Sequence, residues 1–177
     1  ANVGSEADWL SHLGTRLSVE PVSARNISRV AQLFNKTNQI NLSTRRLGEK
    51  EILAWIAAPG RALFAVSVSD RFGEMGLVGV VGIEASGTQG DLTDFILSCR
   101  AMGRRIEQMM LHLAATELRR RGAKSMQVRY LTTARNRPTL DVLRGTALVE
   151  GPEHMFLFDC TAEFPRSEEH TSELQSH

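Results

Sequence analysis

The chain has 177 residues, of which 42% are hydrophobic and 23% charged, and a formal net charge of +1 at pH 7. This is the make-up of one soluble globular domain with a core of its own, and it argues against a disordered tail, a miniature scaffold or a polycationic nucleic-acid binder. The longest apolar run, "GLVGVVGI" (76–83), is strand-sized, far short of the eighteen or so residues a membrane span needs.

Taken in chain order, residues 1–15 read as the end of a linker or helix arriving from a preceding domain. Ser5 and Asp8 suit a capping box there, and Trp9, Leu10 and Leu13 form an apolar stripe. "LSVEPV" (17–22) alternates like a first strand. Ser23 then caps a helix whose Ile27, Val30, Ala31 and Phe34 share one face. The stretch "KTNQINLSTRR" (36–46) follows, crowded with amides, hydroxyls and cations but lacking Gly or Pro. Its polar side chains either bond nearby backbone or hold something that is not protein. A short helix at about 48–57 stops at Pro59 and Gly60.

Two β-rich runs, "ALFAVSVSD" (62–70) and "GLVGVVGIEA" (76–85), are joined by "RFGEM", which reads as an antiparallel hairpin with a loop longer than two residues. "LTDFILSC" (92–99) belongs beside them. The strongest helix pattern lies in "RAMGRRIEQMMLHLAATELRRRG" (100–122), with Ile106, Met109, Met110, Leu113, Ala114 and Leu118 as the buried face. Residues 119–121 suit its C-terminus, and Gly122 suits its cap. Strand "SMQVRYL", helix "NRPTLDVLRG" and strand "HMFLFDC" complete one domain over 16–165. The order β, α, α, β, β, β, α, β, α, β predicts an α/β fold with a mixed, mostly antiparallel central sheet flanked by helices.

Cys99 and Cys160 have neither metal-ligand spacing nor a disulfide framework, and no secretory segment is visible, so the default is a reducing cytoplasm. His12, His112, His154, His170 and His177 are scattered, which argues against a clustered metal site. From Arg166 onward, "RSEEHTSELQSH" resembles the translation of a short-read sequencing adapter and is set aside. Without its one Arg and three Glu the remainder carries +3.

The element order resembles the GNAT acyltransferase fold. In that family the strand before the long helix ends at a loop whose amides receive the pyrophosphate of an acyl-coenzyme A. The matching word is "CRAMGRR": Arg100 and Gly103 fill their places, while Arg105 stands where Gly or Ala is usual. Unpaired N–H groups at a helix N-terminus suit a phosphate. Arg104 and Arg105 then either grip a phosphate from the side or are merely solvated.

Four ordered words, "KTNQINLSTRR", "DRFGEMGLVG", "DFILSCRAMGRRIE" and "YLTTARNRP", resemble the C-terminal, GNAT-like half of FkbH-type (HAD-IIIC phosphatase-like) proteins. The resemblance implies a half that binds the phosphopantetheine arm of an acyl carrier protein, or coenzyme A. It would assist loading of a glyceryl or similar acyl group from an acyl phosphate in polyketide-type biosynthesis. Magnesium would belong only to a missing N-terminal HAD domain, whose Asp-x-Asp word is absent here. The rivals are a stand-alone N- or O-acyltransferase using acyl-coenzyme A and a non-catalytic half supporting the HAD domain.

On the resemblance, Asn38, Asn41, Thr44, Arg45 and Arg46 line an acyl or pantetheine channel, or else Asn38 and Asn41 cap a turn. Asp94 and Ser98 share one strand face with Ile96, opposite Phe95 and Leu97. Asp94 is the candidate general base or orienter. Thr132, Thr133 and Asn136 lie in the segment where GNAT proteins often bind the thiol end, and Asn136 reads equally as an N-cap. Cys99 reads as a buried, inert thiol. The family's usual Tyr acid on the last helix is missing, since Tyr130 is the chain's one Tyr.

Overall fold

The computed structural model describes residues 10–12, 14–162 and 164–165. Ser5, Asp8, Trp9, Leu13 and the segment from Arg166 lie outside them. Leu10 itself belongs to a strand, β1 (Leu10–His12), and not to the approach of a helix; it pairs antiparallel with β2 (Thr15–Pro21).

Helix α1 (Ile27–Lys36) begins later than Ser23 suggests. The Ser23 carbonyl accepts from the amides of Asn26 and Ile27, and the Ser23 amide donates to Asn26 Oδ1 at 2.8 Å. Ser23 therefore opens a turn that leads into the helix. A two-residue strand β3 (Ile40–Asn41) precedes α2 (Glu49–Ile56). Glu51 reaches back to accept from the Gly48 amide at 3.0 Å, which is the side-chain half of a capping box. Strands β4 (Arg61–Asp70) and β5 (Gly73–Ser86) are joined by only Arg71 and Phe72. The predicted longer loop is thus a two-residue turn; Gly73 at φ +137° lets the chain re-enter the ladder at once, and bulges between Val66 and Ser67 and between Val68 and Ser69 absorb the register.

Strand β6 (Gln89–Leu97) starts earlier than its hydrophobic run and feeds a single 3-10 turn at Cys99–Ala101, then α3 (Ile106–Arg120). Every residue of the predicted α3 face is buried. The helix closes in a Schellman motif, with Gly122 at φ +95° donating to Arg119 O and Ala123 donating to Leu118 O, both at 3.0 Å. β7 (Ser125–Arg129), α4 (Arg137–Arg144), β8 (Val149–Glu150) and β9 (Met155–Asp159) follow.

The strands run β1-β2-β4-β5-β6-β7-β9-β8 across the sheet, with β3 attached to the outer end of β6. All pairs are antiparallel except β6 with β7. Alternation along the strands sorts the core into two clusters. Val80 and Ile96 pack with Val30, Phe34 and Ile52 of α1 and α2, whereas Val81, Phe95 and Leu97 pack with Met110 and Leu113 of α3 and Leu140 and Leu143 of α4. Among the described residues no helix is long and apolar enough to cross a membrane.

Candidate functional site

The parallel strands β6 and β7 pair only from Gln89 with Ser125 to Leu92 with Val128. Beyond that point β6 continues to Leu97 without β7 beside it, and the two strands part. A bulge between Gly82 and Ile83 in the β5 pairing marks the same level. On the α1/α2 side of the sheet this parting is the floor of a cavity of about 410 Å³, lined by residues that include Asp91, Thr93, Gln127, Arg129, Trp55 and Arg45.

Its chemistry is mixed. Asp91 stands directly across the ladder from Glu84. Burial pushes the Asp91 carboxyl above its ordinary value, a hydrogen bond from Gln89 pulls the other way, and the Glu84 charge adds to the rise. Glu84 has its own cation, Arg61, at 3.2 Å, and Arg61 also lies over the Trp55 ring. Thr93 Oγ1 is buried with no hydrogen-bond partner, so it lines the cavity with an unspent donor and acceptor. Gly82 makes this crowding possible: a Cβ there would lie 2.7 Å from Thr93 Oγ1 and 3.0 Å from Asp94 Oδ2.

Asp94 is fully buried and already engaged. Arg45 grips both of its oxygens, and the Ser43 hydroxyl donates to Oδ1 at 2.5 Å. The Arg45 guanidinium in turn lies 4.9 Å from the Trp55 ring centroid. Asp94 therefore holds one wall of the cavity in place, an orienting position.

The polar stretch 36–46 answers mainly to its own backbone. Arg46 donates to the carbonyls of Phe34 and Thr37 and to Asn38 Oδ1, closing the C-terminal end of α1. Asn41 donates to Thr37 O and accepts from the Thr44 amide, which fixes Thr44 in the left-handed region at φ 58°. Of the five predicted channel residues only Arg45 lines the cavity.

Residues 40–42 lie in the parting itself. Ile40 pairs with Leu97 and Asn41 with Ile96, and the Leu42 amide donates to Phe95 O at 3.1 Å. From the other side, the Asn41 amide donates to Thr139 Oγ1 at 3.0 Å, Thr139 donates to Gln39 O at 2.8 Å, and Asn136 Nδ2 donates to Asn41 O at 3.2 Å. Asn136 Oδ1 accepts from Tyr130 and from the Thr133 amide, so this side chain reaches back into the loop and does not cap α4 through a side-chain bond. Ile40 and Leu42 are 0% and 1% exposed.

At the start of α3 the Gly103 amide donates to Glu107 Oε2 at 3.1 Å, and Gly103 and Arg105 are both left-handed, at φ +79° and 63°. Arg104 pairs with Asp70 at 2.9 Å, and Arg100 is exposed. Ser98 spends its amide on Val78 O, and Thr132 is exposed; neither lines the cavity. Cys99 is exposed and not buried, whereas burial pushes the Cys160 thiol up to about 11. No group of three His, Cys, Asp or Glu among the described residues is arranged to hold a metal ion.

Sequence reasoning missed Asp91, Thr93, Glu84, Gln127, Arg129 and Trp55. The alternation of "MQVRY" carried a signal for Gln127 and Arg129. Asp91 was hidden by starting its strand at Leu92, three residues after its true start at Gln89.

No protein-family model matches the chain, and no curated protein matches it in sequence. Solved structures do resemble it. The GNAT domain of PAT from S. lividans superposes with a TM-score of 0.63 at 15% identity, covering 85% of this chain and 97% of that one. The protein yncA from Salmonella typhimurium, solved with its cofactor acetyl-CoA, gives 0.58 at 11% identity over 86% and 99%. Aminoglycoside acetyltransferase AAC(6')-Ib in complex with coenzyme A gives 0.59 at 7% identity over 81% and 94%. The chain has the GNAT-like acyltransferase fold.

Coenzyme A is implied by that fold; the described residues leave no opening for it at the parting, which residues 40–42 fill, or at the Gly103 amide, which already serves Glu107.

Proposed function

We propose that this domain is an acyltransferase that holds its acyl acceptor in the cavity over the parting of β6 and β7. The observation that carries the reading is Asp91, a carboxylate with a raised pKa on the floor of a 410 Å³ cavity beside an unpartnered hydroxyl. A base must be strong enough to take a proton and still be ionised near neutral pH, and a raised carboxyl moves in that direction. In this reading Asp91 accepts the proton of an amine or hydroxyl, Thr93 hydrogen-bonds the same group, and Trp55 covers it from water. Arg45, locked on Asp94, sets the shape of the wall, and Arg129 provides a cation at the rim. Asp94 serves as a positioning residue, not as the base.

The test is acceptor-dependent release of free thiol from acetyl-coenzyme A by the full chain, across a panel of small amines and alcohols. Asp91→Asn is expected to lower kcat by roughly 10²–10⁴ while leaving the fold intact. Equal rates in the wild type and Asp91→Asn would remove Asp91 from the chemistry.

A second, finer reading is the FkbH-type half, in which the donor is an acylated phosphopantetheine arm on a carrier protein and a HAD partner supplies the acyl group. The four ordered words favour it. Binding of holo- but not apo-carrier protein in calorimetry is its expected outcome, and indifference to the arm would sink it.

A further inference from the structure

Most charges around the cavity are balanced within the fold: Glu84 is paired with Arg61, and Asp94 with Arg45. The groups left over differ in kind. Among the described residues Asp91 has no ion-pair partner, Thr93 Oγ1 has no hydrogen-bond partner, and the exposed Arg129 guanidinium has neither.

The sheet brings these groups together. β6 and β7 pair for the last time at Leu92 and Val128, whose side chains enter the core under α3. Asp91, just before that pair on β6, and Arg129, just after it on β7, therefore both face the cavity. Thr93 is the extra residue of the β5–β6 bulge, since Gly82 pairs with Asp94 and Ile83 with Leu92, leaving Thr93 opposite no residue of β5. With strands about 4.8 Å apart and about 3.3 Å per residue, Asp91 and Arg129 stand on a diagonal of roughly 8 Å. A short carboxylate and a long guanidinium at that spacing can hold one small molecule by opposite ends. The remaining wall is apolar. Met155 lies across the β7–β9 ladder from Arg129, Leu131 follows on the same chain, and Trp55 is fixed by the guanidiniums of Arg45 and Arg61, 4.9 and 5.1 Å from its ring centroid.

We propose that the acceptor is a small zwitterion, an α-amino acid with an apolar side chain, whose ammonium group meets Asp91 and Thr93 and whose carboxylate meets Arg129, the residue that sets acceptor specificity. This rests on the transferase reading above. A plain amine leaves the Arg129 charge unanswered, and an acid without an amine puts nothing positive against Asp91. The reaction is N-acylation by a thioester. The ammonium gives one proton to Asp91, the nitrogen bonds the acyl carbon, and the C–S bond breaks with its electron pair going to sulfur. The departing sulfur takes a second proton from nitrogen, leaving an amide and a free thiol.

The experiment compares L-leucine with 3-methylbutylamine, which is leucine without its carboxylate, as acceptors for the full chain supplied with acetyl-coenzyme A, and follows leucine binding by calorimetry. Wild type, Arg129→Gln and Arg129→Lys are run together, with Tm as the check that each folds. The expected result is a kcat/KM about tenfold or more higher for leucine, a preference that Arg129→Gln loses through KM and Arg129→Lys partly restores. Leucine binding should weaken by a similar factor in Arg129→Gln. Equal use of the two acceptors, turnover only of acceptors lacking a carboxylate, or a preference that Arg129→Gln leaves in place would overturn the zwitterion and leave the transferase reading standing. No thiol release, with leucine still bound by the wild type and lost in Arg129→Gln, would keep the amino-acid site and sink the transferase reading. Neither release nor binding would end both.

Discussion

Asp94 and Asp91 lie three residues apart on one strand and have opposite electrostatic fates. Asp94 is fully buried, and Arg45 and Ser43 saturate its two oxygens. Removing the cation in Arg45→Met should cost about 2–3 kcal/mol in a denaturant melt, below the range for a fully buried pair because Arg45 is partly solvated. Asp91 keeps no such partner, and its carboxyl is raised by burial. Between its unfolded and folded pKa values the folded state binds the extra proton, so Asp91's contribution to stability is full at low pH and is lost as pH rises through the folded value. Activity runs the other way, since the base works only when ionised, and kcat/KM should climb across the same window and flatten in Asp91→Asn. Thr93→Val should be neutral or slightly stabilising, because the hydroxyl it removes has no partner, yet should impair turnover. Asp94 was visible in the sequence as a costly carboxylate on a strand. Its partner Arg45 was visible only as a member of a polar word, because spacing does not tell which of several arginines folds back across the sheet.

At the scale of elements, the helices and main strands were legible because their apolar periods are clean, and α3 buries its expected face residue for residue. Strand β3 was not legible. Two residues carry no period, and "QINL" becomes a strand only because β6 and β7 part and leave an edge to be bonded. The β4–β5 turn was misjudged for a related reason: bulges inside the strands absorb residues that a flat ladder would push into the loop. Backbone geometry also sets a sharp test at the α2–β4 junction. Gly60 has φ +81°, and a Cβ there would overlap the Ala85 carbonyl oxygen, so Gly60→Ala should destabilise the domain by about 1–3 kcal/mol and lower its Tm. Glu150 gives a milder one. Hydrogen bonds from Arg144 and His154 hold its carboxyl down at about 2, so this link between α4 and the β8–β9 pair loosens as pH falls from about 4.5 toward 2. Local exchange at β8 in acid should show it first.

For the whole molecule, element order alone predicted the sheet and its helical layers, and superposition on GNAT structures agrees. The working face was harder to read, because a fold tells where strands part but not what fills the gap. Here the chain fills it with its own residues 40–42 and leaves the cavity beside it open. The central claim is that acyl transfer takes place at that cavity with Asp91 receiving the proton. The most direct measurement is thiol release by the full chain supplied with acetyl-coenzyme A or an acylated holo-carrier and a panel of acceptors, run beside Asp91→Asn. Acceptor-dependent release that falls at least a hundredfold in the variant is the predicted result. No release above spontaneous hydrolysis with either donor, or release that Asp91→Asn does not alter, would contradict it.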